Sequence, residues 1–323
     1  MEYTSRALLV TGGAGFIGSH LVEALTHESP ASIHVIDNLF LGREENLSSA
    51  RSHFSAITLH RIDATDGEAL HGIIREAGID VVFNLATKAL GYSFDDPLDA
   101  FHVNVQIIGH LLEALRLGEI KRLVHFSSSE AYGSALETPM SEAHPLLPHT
   151  PYAAGKAAAD LMVRVYQKTF GTRVLTLRPF NNYGPRQNPG VYAGLIPLTI
   201  SRIIRGEYPL IQGSGDQTRD FLFVRDTVRI SVGLAKRDDL LGHVLNLGSG
   251  TEVSVKQVVE KICKVSGYRG PIRQAPPRAG DLLRQCADTR LLRDIEGAIA
   301  LCPMEEGLAE TWQWYQTHRE SLV

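Results

Sequence analysis

The sequence predicts an α/β protein built on a doubly wound parallel sheet with a smaller, interleaved C-terminal lobe. Three observations point there: short apolar runs alternate with helical stretches, the first run feeds a glycine turn, and the second ends on an acid. In order, Ala7-Leu-Leu-Val10 reads as a strand, Thr11 to Gly18 as the turn, and the periodic pattern through Leu25 as a helix. Ile33-His-Val-Ile-Asp37 is the second strand and Ile57-Thr-Leu-His60 the third. Helices near 66–76, 98–117 and 152–169 then separate the strands Val81–Leu85, Leu123–Phe126 and Val174–Leu177. After Arg178 the texture becomes loop-rich, with a helix near 195–205 and a glycine-rich segment at 213–215. Val244-Leu-Asn-Leu-Gly248 looks like a further sheet strand, so the two lobes interleave. The expected division is 1–179 with about 221–250 in the sheet domain, and about 180–220 with 251–323 in the second lobe. No repeat or low-complexity tract interrupts this plan.

The glycine turn has a physical reading. Gly12 permits the tight turn, Gly15 lets backbone approach a pyrophosphate, and Gly18 lets the helix pack closely on the sheet. Phosphates would then sit at the helix N-terminus beside Phe16 and Ile17. The spacing Gly-x-x-Gly-x-x-Gly matches the dinucleotide fingerprint loosely, and Asp37, about 20 residues on, strengthens it by offering a carboxylate to ribose hydroxyls. A carboxylate there repels a 2'-phosphate, which favours NAD over NADP, while Arg43 keeps that preference open.

Composition excludes several other classes. At 323 residues, 44% of them hydrophobic and 21% charged, the chain can bury a large core. A net charge of -4 without a basic stripe argues against a nucleic-acid partner. No apolar run approaches ~20 residues and the start lacks a signal-peptide pattern, so a soluble cytoplasmic protein is expected, not a membrane one. Cys263, Cys286 and Cys302 have no ligand-like spacing, which reads as reduced thiols and no metal site.

The strongest chemical signal is Pro151-Tyr-Ala-Ala-Gly-Lys156 downstream of Ser127-Ser-Ser-Glu130. On a helix, Tyr152 and Lys156 share one face. A phenol titrates near ~10 in water, so it serves as a base near neutrality only where a cation stabilises its anion. Lys156 is placed to supply that charge.

With these residues the chain resembles the extended short-chain dehydrogenase/reductase family, in particular its nucleotide-sugar 4,6-dehydratases, UDP-glucuronate decarboxylases and 4-epimerases. The resemblance rests on the glycine motif, Asp37-Asn38, Asp63, Asn84-Leu-Ala86, Asn104, Ser127 to Gly133 and Tyr152 to Lys156. It continues through Arg178-Pro-Phe-Asn-Asn-Tyr-Gly-Pro185, the stretch Gly213 to Phe221 and Pro277-Arg-Ala-Gly-Asp281, which together span nearly the whole length. Asn84 stands where the family often has His, and Thr87-Lys-Ala-Leu-Gly91 is this chain's own version of a pocket-shaping loop. The resemblance implies a Rossmann fold, a tightly held NAD regenerated each cycle, and a nucleotide-diphosphate sugar as substrate, a UDP-sugar by preference. It implies that Tyr152 removes the sugar 4-hydroxyl proton beside Lys156 while Ser128 bonds the same oxygen. Asn38, Asp63, Ala86 and Asn104 fall at cofactor positions, and Thr87, Ser129, Asn181, Arg219 and Arg278 at substrate positions, with Arg284 a weaker diphosphate candidate.

Reaction type turns on Glu130, where the family's epimerases have an apolar or small residue and its dehydratases and decarboxylases have Glu. A 4-ketone acidifies the C5 proton, a carboxylate can remove it, and water then leaves from C6. Ser129 takes the place of the Asp found in glucose 4,6-dehydratases, and Gln285 falls where decarboxylases place a carboxylate-reading Arg, unless Arg284 substitutes. These observations rank 4,6-dehydratase first, UDP-glucuronate decarboxylase second and 4-epimerase third. A non-catalytic sensor of NAD and nucleotide sugar is the alternative of another class, disfavoured by intact Ser128, Tyr152 and Lys156. Ala153, Ala154, Ala157, Ala158 and Ala159 give the helix after Tyr152 a small-residue surface, so a homodimer is expected through it, although Ala also serves simple helix propensity.

Overall fold

The computed structural model describes residues 1–277 and 282–319. Six strands alternate with helices over the first part of the chain: β1 (Ala7–Thr11), β2 (Ser32–Ile36), β3 (Ile57–His60), β4 (Val81–Asn84), β5 (Arg122–Phe126) and β6 (Leu175–Pro179). The intervening helices are α1 (Phe16–Thr26), α2 (Ser48–His53), α3 (Gly67–Ala77), α4 (Pro97–Arg116) and α5 (Pro151–Phe170). Further on come β7 (Asn181–Tyr183), α6 (Leu195–Ile204), β8 (Leu210–Gln212), β9 (Thr218–Phe223), α7 (Val224–Lys236) and β10 (Val244–Leu247). The last elements are β11 (Glu252–Ser254), α8 (Val255–Ser266), β12 (Arg273–Ala275), α9 (Arg290–Glu296) and α10 (Met304–Thr317).

The main sheet has the order β10-β6-β5-β4-β1-β2-β3, and every neighbouring pair in it is parallel. Strand order reverses between β1 and β4, which opens a crevice at their C-terminal ends. Helices cover both faces, so the strands are apolar on both sides and β4 is buried along its whole length. The pleat divides the core: Leu8 and Val10 join Leu21, Leu25, Phe83 and Leu245 on one face. Leu9 joins Leu70, Val82, Ile108, Leu111 and Val163 on the other.

Local signals set the helix ends. Asp66, Asp96 and Thr150 accept hydrogen bonds from Ala69, Asp99 and Ala153 backbone N–H groups, and Pro97 and Pro151 occupy the first turns of α4 and α5. Gly78 and Gly171 close α3 and α5 in the left-handed region, with φ of 60° and 70°. The small residues of α5 are used inside the chain. Ala153, Ala157 and Ala159 are buried, and a Cβ on Gly155 would lie 3.0 Å from the Phe101 carbonyl oxygen of α4. Gly155 and Ala159 thus serve the packing of α5 on α4, and the outer face of α5 carries Leu161, Val165 and Phe170. Among the described residues no helix is long and apolar enough to cross a membrane.

A second layer sits over the C-terminal edge of the sheet. Strands β7, β9 and β11 form a small sheet, β8 pairs with β12, and Ile196, Ile200, Phe223, Val258, Ile262, Leu308 and Tyr315 form their core. Asp220 on β9 is fully buried, and its carboxylate accepts from the Ser249 N–H (2.7 Å), the Ser249 hydroxyl (2.6 Å), the Gly250 N–H (2.9 Å) and the Ala287 N–H (3.1 Å). It gathers three chain segments at the end of β10. Replacing Asp220 with Ala strands these buried donors, and thermal unfolding of the variant should show a loss of about 3 kcal/mol.

Candidate active site

The crevice at the strand ends is a cavity of about 410 Å3. The glycine loop forms its floor, and the close approaches there require glycine. A Cβ on Gly12 (φ +69°) would come 2.8 Å from the Ala86 nitrogen, and one on Gly18 would come 2.1 Å from the Gly12 carbonyl oxygen. Gly15 caps α1 without any side-chain acceptor, leaving the first-turn N–H groups for an anion. Asp37 follows β2 directly; its two oxygens accept from the Ala14 and Leu39 N–H groups at 2.9 Å each, and burial pushes its pKa up. Each oxygen keeps a lone pair for a ribose hydroxyl. Asn38 donates to Asp63 at 2.7 Å, and both line the cavity with Phe16, Ile17 and Ala86. A glycine floor, an open helix N-terminus and a carboxylate at the end of β2 fit NAD. Arg43 does not line the cavity.

Ser128, Tyr152 and Lys156 meet at the far end of the same cavity. Tyr152 stands on the first turn of α5, with Ser128 and Thr87 lining the same end of the cavity. The protein crowded around its phenol pushes it up to about 12, the hydroxyls of those two residues pull it down, and the Glu130 carboxylate raises it further. Ser128 precedes the short helical turn Ser129–Tyr132, and its hydroxyl accepts the Glu130 N–H at 3.1 Å. Lys156 is 3% exposed and donates to the Phe126 carbonyl at 3.0 Å. Burial lowers its pKa to about 8, and the Asp160 carboxylate works in the opposite direction.

Five residues singled out in the sequence stand behind this surface. Glu130, Ser129, Asn104, Asn181 and Arg219 do not line the cavity. Asn104 is buried in α4 and accepts from the Thr87 hydroxyl at 2.8 Å, so it orients the group that faces Tyr152. Ser129 is 3% exposed. Asn181 donates to the Asp220 carbonyl and to Gln285, and Arg219 donates to the Leu282 carbonyl at 2.7 Å. Arg284 is paired with Glu252 at the exposed surface. Arg278 lies outside the described residues.

Phe40, Lys88, Asn182, Arg186 and Tyr192 line the cavity without having been assigned a site role from the sequence, although Lys88 and Asn182 lie within the quoted motifs. Two of them stand on loops that the fold brings face to face, Lys88 after β4 and Tyr192 before α6. Tyr92 and Tyr192 pack edge to face at 5.6 Å, Tyr192 donates to Asp95 at 2.9 Å, and the Lys88 ammonium stands 4.1 Å over the Phe40 ring. Phe40 gave no signal, because an exposed aromatic in a loop has no periodicity.

Because Glu130 raises the Tyr152 phenol, removing its charge should lower that pKa. Glu130→Gln is expected to bring Tyr152 ionisation to lower pH, read as phenolate absorbance in the near ultraviolet against a Tyr152→Phe blank.

The model of the family described as GDP-mannose 4,6 dehydratase matches residues 9–287. UDP-glucose 4-epimerase of Mycolicibacterium smegmatis is 34% identical over 312 residues, covering 95% of this chain and 98% of that one. A dTDP-glucose 4,6-dehydratase of Streptomyces niveus is 33% identical over 320 residues, covering 97% and 93%. The crystal structure of a dTDP-glucose 4,6-dehydratase from Streptomyces venezuelae with NAD bound superimposes with a TM-score of 0.90 at 31% identity, covering 97% of this chain and 98% of that one. Similarity of this extent, over a cavity shaped for a dinucleotide with a tyrosine at its end, makes the chain an NAD-dependent enzyme of the GDP-mannose 4,6-dehydratase family, among nucleotide-sugar dehydratases and epimerases.

Proposed function

We propose that this enzyme is a nucleotide-sugar 4,6-dehydratase, acting by preference on a UDP-sugar, and the observation that carries the proposal is the placement of the Glu130 carboxylate on the turn Ser129–Tyr132, with Glu130 tied through its N–H to the Ser128 hydroxyl. Its relatives, named for UDP-glucose and dTDP-glucose, support a nucleotide-diphosphate sugar as substrate. Tyr152, at the end of the cavity with Ser128 and Thr87, takes the proton of the sugar 4-hydroxyl. NAD, when bound, supplies the acceptor that takes the C4 hydride and gives it back. Glu130 removes the C5 proton that the neighbouring ketone has acidified. Since Ser129 is enclosed and is no acid, Glu130 carries that proton to the departing C6 hydroxyl, and water leaves. Hydride returned at C6 and a solvent proton at C5 complete a 4-keto-6-deoxy sugar.

A 4-epimerase is the second reading, favoured by one observation. Neither Ser129 at the acid position nor Glu130 lines the cavity, and an epimerase needs neither a leaving-group acid nor a C5 base. For the decarboxylase reading, Gln285 is fully enclosed and Arg284 is turned to Glu252, so neither supports recognition of a C6 carboxylate.

Incubation of UDP-glucose, dTDP-glucose, GDP-mannose, UDP-N-acetylglucosamine and UDP-glucuronate with the protein and NAD in heavy water, read by mass spectrometry, separates these. Loss of water with solvent deuterium at C5, abolished in Glu130→Gln, is the expected result. An unchanged mass with a new chromatographic peak identifies an epimerase, and loss of carbon dioxide from UDP-glucuronate a decarboxylase.

The proposed assembly is a homodimer. Its support is the apolar outer face of α5, where Leu161 is 50% and Val165 58% exposed one turn apart. Light scattering should give twice the chain mass for the native protein and a monomer for a variant carrying Leu161→Glu and Val165→Lys.

A further inference from the structure

Three rings join loops on opposite sides of the cofactor floor. In the main sheet β1 lies between β2 and β4, and the glycine turn follows β1. Phe40 stands on the loop after β2, and Tyr92 on the short helical turn Gly91–Phe94 after β4. Their rings meet edge to face at 5.2 Å. A contact between those two loops spans the strand end that carries the glycine turn. Tyr192 reaches the same point from the second layer, stacked on Phe40 at 6.3 Å and edge to face with Tyr92 at 5.6 Å.

One end of this bridge is anchored. Asp99, in the first turn of α4, accepts from the Tyr92 hydroxyl at 2.9 Å and pairs with Lys88 at 3.4 Å. Asp95 accepts from the Tyr192 hydroxyl at 2.9 Å. Gly91 lets the two tyrosine loops touch, since a Cβ there would come 3.1 Å from Tyr192 Cδ1. The other end is lighter. The Phe40 side chain is held by ring contacts and by the Lys88 ammonium, and the residue is 43% exposed. A bridge tied by hydrogen bonds on the α4 side and only packed on the β2 side can part at Phe40.

We propose that Phe40, Tyr92 and Tyr192 form a strap over the glycine turn, and that bound NAD exchanges when Phe40 parts from the two tyrosines. The inference is independent of which sugar reaction follows. Phe40 and Tyr192 line the cavity, whereas Tyr92 does not. Tyr92 therefore acts on exchange only by holding the other two rings.

That difference supplies the test. Protein loaded with radiolabelled NAD is diluted into excess unlabelled NAD, and the label left on the protein is followed in time. Phe40→Ala and Tyr92→Ala each remove two ring contacts and should exchange NAD about tenfold faster than the native protein. Affinity, read by equilibrium dialysis with the same label, should fall by less than exchange quickens, because an opened strap speeds entry as well as exit. Faster exchange in Phe40→Ala with a native rate in Tyr92→Ala would make Phe40 a simple cofactor contact and overturn the strap. Native rates in both variants overturn it too, as does a loss of affinity that matches the rise in exchange, which marks a loosened site.

Discussion

The hydrogen bond from Thr11 to Asn84, at 2.7 Å across the boundary between β1 and β4, is the contact on which the site depends. At this boundary the sheet reverses its order and the two strands part. The Thr11 hydroxyl also accepts from the Leu85 and Ala86 N–H groups at 3.2 Å each, so it draws the loop after β4 down onto the glycine turn. Gly12 tolerates that approach because it has no Cβ to meet Ala86. One hydroxyl thereby joins the cofactor floor to the loop that carries Thr87 and Lys88.

From Asn84 the polar path runs outward through His125, Asp160 and Arg178. These residues sit on β4, β5, α5 and β6, and their burial is tolerable only because each polar group finds a neighbour of suitable charge. The arrangement places a charged set directly behind Lys156, while Ser128 and Thr87 approach Tyr152 from the cavity side. The geometry of this cluster is thus a property of sheet register. A shift of one residue in β5 would turn His125 to the opposite face and Phe126 away from Lys156.

The second layer meets the first through Asp220, which binds backbone after β10 and at Ala287. The mouth of the cavity is shaped by loops from both layers. Lys88, Phe40, Tyr92 and Tyr192 close on one another there, and Asp95 and Asp99 bind the two tyrosines. Under the proposed function, which sugar enters is a matter for this mouth, and the oxidation step belongs to the Tyr152 end.

Elements whose cause is local were legible in the chain itself. The parallel strands are continuous apolar runs because both faces are covered, the helices start at Asp66, Asp96 and Thr150 because short polar side chains satisfy their free N–H groups, and the glycine turn, Asp37 and the Tyr152–Lys156 spacing declare a dinucleotide and a phenol. Tertiary structure alone decided the rest. It set Gly155 and Ala159 of α5 against α4, enclosed Ser129, turned Arg284 outward to Glu252, and brought Thr87 to the Tyr152 end of the cavity on a hydrogen bond to Asn104. It also gathered His125 and Arg178, at 35 and 18 residues' separation, around Asp160. Such contacts carry no periodicity and no spacing, because they join side chains whose neighbourhood exists only after the strands have paired and the helices have packed.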